Sequence, residues 1–138
     1  MSWVKVLRDM VISFFQLGSA ALVWTNMPAA LTEFREVTVQ RTKVDLTNYK
    51  SARLIVNVDT AGFAGASLRL QYSLNEADWS YLDGATGPDC DISATGVEES
   101  TWVTLEAAAK DDVYLRLVGI NGDGIEDPKF GSITAQFK

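Results

Sequence analysis

The stretch "SLRLQYSLNEADWSYL", Ser67 to Leu82, decides how the chain is read. Leu68, Leu70 and Tyr72 alternate with Arg69 and Gln71. A strict two-residue period gives a β-strand one apolar and one polar face, whereas a helix would scatter the same residues around its axis. A polar turn follows, and then the short run "WSYL" (79–82). The unit is therefore strand, turn, strand, with one face buried and one wet, which is the habit of antiparallel sheets.

The same punctuation continues in both directions. "VTVQRTKVDL" (37–46) reads as one long strand or two short ones. "SARLIVNVD" (51–59) puts Leu54, Val56 and Val58 on one face, and the glycines of "AGFAGA" (61–66) make a turn. "DGATGPDCDISATGVEES" (83–100) reads as a long polar loop. "TWVTLEA" (101–107), "DVYLRLVGI" (112–120) and "FGSITAQF" (130–137) complete the series. Seven or eight such strands with polar turns predict a mainly β protein, an antiparallel β-sandwich of jelly-roll type over residues 37–138.

Composition narrows the function classes. The chain has 138 residues, 47% hydrophobic and 22% charged, which suits one folded domain with a real core. Its net charge of −6 argues against nucleic acid as the main partner, since phosphate binding needs a basic surface. There is no histidine and a single cysteine, Cys90. That removes Ser-His-Asp and Cys-His catalysis, His-containing zinc sites, Cys-rich zinc sites within one chain and any intramolecular disulfide. No cofactor and no enzymatic activity are expected.

The front of the chain is different. "MVISFFQLGSAALVW" (10–24) is an almost unbroken apolar run. Trp3, Leu7, Met10, Phe14, Leu17 and Ala21 are spaced 4, 3, 4, 3, 4, the seam of an amphipathic helix. Val4, Val11, Phe15, Gly18 and Leu22 widen it. The spacing predicts a helix over 2–25, with Ser2 as N-cap and Asn26 and Pro28 as the stop, then a connector over 26–36. A signal peptide fits poorly, because Asp9 and several apolar residues occupy the region that should be basic. A membrane span fits poorly too, because the run is shorter than about 20 residues and carries Ser13, Gln16 and Ser19. An interfacial helix would want a polar face richer in Lys and Arg. A helix folded back on its own sandwich is the plainest alternative. The stripe is wide for that, and burying half its large side chains is worth on the order of 10 kcal/mol before entropy costs. The expectation is burial against other protein, with Trp3, Leu7, Met10, Phe14, Leu17 and Trp24 as the assembly interface.

Two further groups invite chemistry. "NGDGIEDP" (121–128) gathers Asn121, Asp123, Glu126 and Asp127, oxygen ligands of the kind calcium takes. The spacing is not that of an EF-hand, and such loops are commonly plain turns, so no metal is expected and Asp123, Glu126 and Asp127 are only its weakest candidates. Trp79, Tyr81 and Trp102 have the chemistry of a sugar-stacking platform, though strand aromatics more often pack in a core or across strands.

"LRLQYSLNEADWSYLDG" (68–84) resembles a recurring strand-turn-strand of phage-encoded β-sandwich proteins, and "DVYLRLVGINGDGIEDPKFGSI" (112–133) resembles their late strands. Such domains serve as capsid decoration proteins and as tail or fibre modules of tailed bacteriophages, and carbohydrate-binding jelly rolls share much of the pattern. The resemblance implies a non-enzymatic virion structural protein, assembled in the host cytoplasm, whose partners are copies of itself and other virion proteins. The N-terminal helix would anchor it in a capsid or tail lattice while the sandwich faces solvent. The alternatives are an adhesion module for cell-surface glycans, using Trp79, Tyr81 or Trp102, and a β domain tethered to a membrane.

Overall fold

The computed structural model describes residues 9–14, 22–35 and 39–138. Its two central strand pairs are the ones with the cleanest alternation. β5 (Ser51–Thr60) lies beside β12 (Lys129–Phe137), and β6 (Ser67–Ser73) lies beside β11 (Asp112–Ile120). Around them sit shorter strands: β1 (Met10–Ser13), β2 (Leu22–Val23), β3 (Thr32–Glu33), β4 (Thr42–Asp45), β7 (Ser80–Tyr81), β8 (Asp89–Asp91), β9 (Gly96–Glu99) and β10 (Val103–Thr104).

These strands form two antiparallel sheets. In the first, β1 and β2 pair with β12, β12 with β5, and β5 with both β9 and β10. In the second, β3 and β4 pair with β11, β11 with β6, and β6 with both β7 and β8. The sheets meet face to face as a sandwich. Ala52, Leu54, Val56 and Val58 of β5 point inward, as do Leu68, Leu70 and Tyr72 of β6 and Val113, Leu115 and Leu117 of β11, all buried in one cluster. In β12 the inward residues are Ile133, Ala135 and Phe137, and the period then slips so that Phe130 also faces in. The register shifts on either side of Phe130 mark the irregularity that re-aims it.

The helix expected over 2–25 is not what the described residues form. Met10–Ser13 is a strand whose register runs Met10 opposite Phe137 to Ser13 opposite Thr134, and Leu22–Val23 pairs with Lys129 and Phe130. Among the described residues the only helical geometry is a single 3-10 turn, Ala107–Ala109. The physical reason is that "MVIS" satisfies two periods at once. Its residues also alternate, with Met10 and Ile12 half-buried and Val11 and Ser13 exposed, its β-branched Val11 and Ile12 favour a strand, and the edge of β12 pairs with its backbone. Trp3, Leu7 and Leu17 lie outside the described residues.

The connector is woven into the same body. Trp24 stacks on Phe34, ring centroids 4.4 Å apart, and Phe34 meets Phe130 at 5.7 Å. Met27 and Phe34 are fully buried. Backbone bonds sew this segment to the far end of the chain: the amides of Trp24 and Phe34 donate to the carbonyls of Pro128 and Leu117, and those of Asn121 and Gly124 donate to Ala29 and Met27. The close approach requires glycine at 119 and 122, since a Cβ there would collide with Trp24 or Met27.

The stretch 83–100, expected as a loop, holds β8 in the second sheet and β9 in the first. It crosses the sandwich and buries Cys90 and Ile92 on the way.

Candidate functional site

The outward face of the second sheet concentrates polar and aromatic side chains. Arg69 and Gln71 leave β6 on the side opposite its inward leucines, and Tyr114 and Arg116 leave β11 likewise. The register places Arg116 opposite Gln71 and Gln71 opposite Tyr81, a row across three strands. Two-residue alternation is what puts Trp79 and Tyr81 on this same side.

Hydrogen bonds fix the row. Arg116 Nε and Nη2 both donate to Gln71 Oε1, at 2.9 and 2.7 Å. Arg116 Nη1 reaches Glu33 Oε1 at 3.4 Å. Arg41 grips the same carboxylate with two donors, Nε to Oε2 at 3.1 Å and Nη2 to Oε1 at 2.8 Å. Its remaining nitrogen lies 3.6 Å from Glu76. Burial works to raise the Glu33 pKa, but the hydrogen bond and charge of Arg41, with Arg116 behind it, outweigh burial and hold the carboxyl below its ordinary value. Over this cluster lies Trp79, its ring centre 4.3 Å from the Arg116 guanidinium carbon and 4.9 Å from that of Arg41. Beside it, Arg69 stacks on Tyr81 at 5.6 Å, donates to its hydroxyl at 3.3 Å and pairs with Asp89 at 3.5 Å.

Of the expected aromatic trio, Trp79 and Tyr81 therefore share one face. Trp102 does not join them. It packs on Arg53, an outward residue of β5 in the other sheet, at 4.7 Å, and on Lys138 at 4.1 Å. Sequence reasoning missed Glu33, Arg41 and Arg116. The outward parity of Arg116 and Gln71 was visible, but Glu33 and Arg41 come from segments read as connector and ambiguous strand.

The other expected residues have local roles. Asp123 Oδ1 accepts from the amides of Ile125 and Glu126 at 2.9 and 2.8 Å, and Asp127 Oδ1 from the amide of Asn26 at 2.7 Å. These carboxylates shape a turn and hold the connector. Among the described residues no group of three or more His, Cys, Asp or Glu side chains is arranged to hold a metal ion. Met10 is half-buried against the core, while Phe14 and Trp24 are within it, 3% and 7% exposed. Cys90 is buried, and burial, aided by the charge of Glu98, pushes its thiol up to about 12. A small cavity of ≈ 220 Å³ opens beside the turn after β6, lined by Tyr72, Ser73, Leu74, Asn75, Asp78 and Ser80, below the roughly 300 Å³ at which ligand pockets begin. No helix of the described residues is long and apolar enough to cross a membrane.

Comparison of the chain with family models, curated proteins and solved structures finds no match in any of the three.

Proposed function

We propose that this chain is a non-enzymatic structural protein of a virion, a jelly roll displayed on a capsid or tail assembly. The observation that carries the reading is strand order. When the short strands that share a partner are merged into one position each, the first sheet runs 1-8-3-6 and the second 2-7-4-5. That is the order of a jelly roll, an architecture used by viral capsid proteins and lectins. The chemistry of the side chains supports a non-catalytic role. The carboxylates of Asp83, Asp91 and Asp123 cap turns, Glu33 neutralises two arginines, and the Cys90 thiol is held protonated in the core.

Attachment would run through the β1 side of the first sheet. β1 ends the strand order there, and Val11 projects from it 61% exposed. A terminal strand offers backbone groups for pairing with another chain. Trp3, Leu7 and Leu17 remain the side chains proposed for that contact, with Met10, Phe14 and Trp24 serving the sandwich itself. The test is to purify particles from a lysate of the source cells on a density gradient and measure the chain's copy number by mass spectrometry. A fixed stoichiometry in intact particles supports the proposal. A chain that stays in the soluble fraction while other virion proteins sediment overturns it.

A further inference from the structure

The outward faces of the two sheets carry different chemistry. On the second sheet the charges are matched within the chain: Glu33 with Arg41 and Arg116, Arg69 with Asp89, Lys43 with Asp112. A protein laid there would strip water from those pairs. The first sheet has the reverse plan. Its register sets Thr134 opposite Ile55, Ser132 opposite Asn57, and Asn57 opposite Val97, and strand parity turns all of them away from the core. Its centre is therefore uncharged. Ile55 is half-buried in the middle, and Val11 on β1 and Val97 on β9 stand on the two flanks, 61% and 65% exposed. Arg53 is bonded to Gln136 at 2.9 Å, paired with Glu99 at 3.2 Å and packed 4.7 Å from the ring of half-buried Trp102. A charge-free centre bordered by tryptophan and arginine is the make-up of a protein–protein interface.

The remaining charges run along β5 with a polarity. Lys138 lies at the Ser51 end, its amide bonded to the Ser51 carbonyl and its ammonium 4.1 Å from the Trp102 ring centre. Asp59 lies at the other end, on the side of Asn57: a Cβ on Gly131 would come within 3.2 Å of Asp59 Oδ1 and 3.1 Å of Asn57 Nδ2. Among the described residues neither Lys138 nor Asp59 has an ion-pair partner. A two-fold axis across the strands, between two such faces, turns one copy end for end and lays each Lys138 toward the other copy's Asp59. The face is thus its own electrostatic complement. Its size agrees. The long strands span roughly 30 Å and four strands abreast roughly 19 Å, a face of about 500 Å² once the short flanking strands are allowed for. Two faces together hide about 1,000 Å², the floor for a specific but weak interface.

We propose that the outward face of the first sheet binds a second copy of this chain, sheet against sheet about a two-fold axis, with Ile55 at the centre and Trp102 at the margin. The contact does not depend on the virion reading, since it is measured on the isolated chain.

The experiment is sedimentation velocity of the full chain from about 1 μM to 1 mM. The expected result is a monomer that becomes a dimer with a dissociation constant in the range of about 10–500 μM. Ile55→Lys should weaken it at least roughly tenfold while far-UV circular dichroism stays that of the parent. Leu74→Lys, on an exposed residue that follows β6 in the other sheet, should leave it unchanged. Asp59→Lys and Lys138→Glu should each weaken it about threefold or more, and the two together should restore it. In the parent protein the indole N–H resonance of Trp102 should move on dilution while that of Trp79 stays, a readout that needs no variant to fold. A monomer at every concentration, equal association by Ile55→Lys and the parent, or a charge-reversed double variant no better than either single one would each overturn the proposal. So would association that survives Ile55→Lys and is lost in Trp3→Asp, which would assign the contact to the front segment instead.

Discussion

Glu33 shows how one side chain organises a face. It accepts from Arg41 twice and from Arg116 once, so Glu33→Gln removes the carboxylate paired with Arg116 and leaves Arg41 with Glu76 alone, 3.6 Å away. Loss of charged hydrogen bonds of this kind costs about 1.5–3 kcal/mol, and urea denaturation at neutral pH should show a stability loss of that order. The pH dependence follows from the sign of the shift. The folded carboxyl has a lowered pKa, so the unfolded chain takes up its proton first as the solution is acidified. The stabilisation is complete above the ordinary value of 4.5 and drains away as pH falls through the lower folded value. Acid sensitivity below pH 4.5 should therefore be shallower in Glu33→Gln than in the parent, and equal slopes would contradict the assignment. Cys90 and Tyr72 work at the other end. Burial raises both to about 12, with the Glu98 charge adding to the first and the hydrogen bond to Glu106 to the second. Groups whose folded pKa is raised favour folding below their ordinary values and lose that contribution as pH climbs, so stability should decline between pH 9 and 12. Native Cys90 should not react with a disulfide reagent at about pH 8, and should react fully once the chain is denatured.

At the scale of elements, the strands with unbroken alternation were legible and those without it were not. β5, β6 and β11 read correctly because each presents three or more inward apolar residues in strict period. β8 and β9 were hidden because three- and four-residue strands in a glycine- and aspartate-rich stretch carry too few apolar positions to show a period. The N-terminal run misled for the opposite reason. It is so rich in apolar residues that helical and strand spacings are both satisfied, and the choice is made by β12, more than 100 residues away in sequence. The candidate face was half legible. Trp79 and Tyr81 could be paired by parity alone, but the arginines beneath them converge only when β3 and β4 are laid beside β11. The consequence for Trp24 is specific. A docking residue could be removed without cost to the fold, whereas a core residue stacked on Phe34 cannot. Trp24→Ala should lower unfolding free energy by about 3–5 kcal/mol, visible as an earlier thermal midpoint, and a midpoint within error of the parent would show that the stack contributes nothing.

For the whole molecule, the two ends of the chain close one body. The first described strand and the last are neighbours, and the segment between β2 and β3 is bonded to the loop that precedes β12. The apolar front segment thus supplies the sandwich with a sheet edge, and part of its apolar surface is consumed there before any partner is met. Trimming that edge would expose one side of β12 and open the core at Phe130 and Phe34, a larger loss than a domain of this size can absorb when total stability is about 5–15 kcal/mol. The most direct test is thermal unfolding, followed by circular dichroism, of the full chain beside a chain that begins at Met27. The full chain should unfold in one cooperative transition, and the shortened chain should show none or one at much lower temperature. If the shortened chain melts at the same temperature as the full one, residues 10–14 and 22–24 do not hold the sandwich together, and the front segment is an appendage after all.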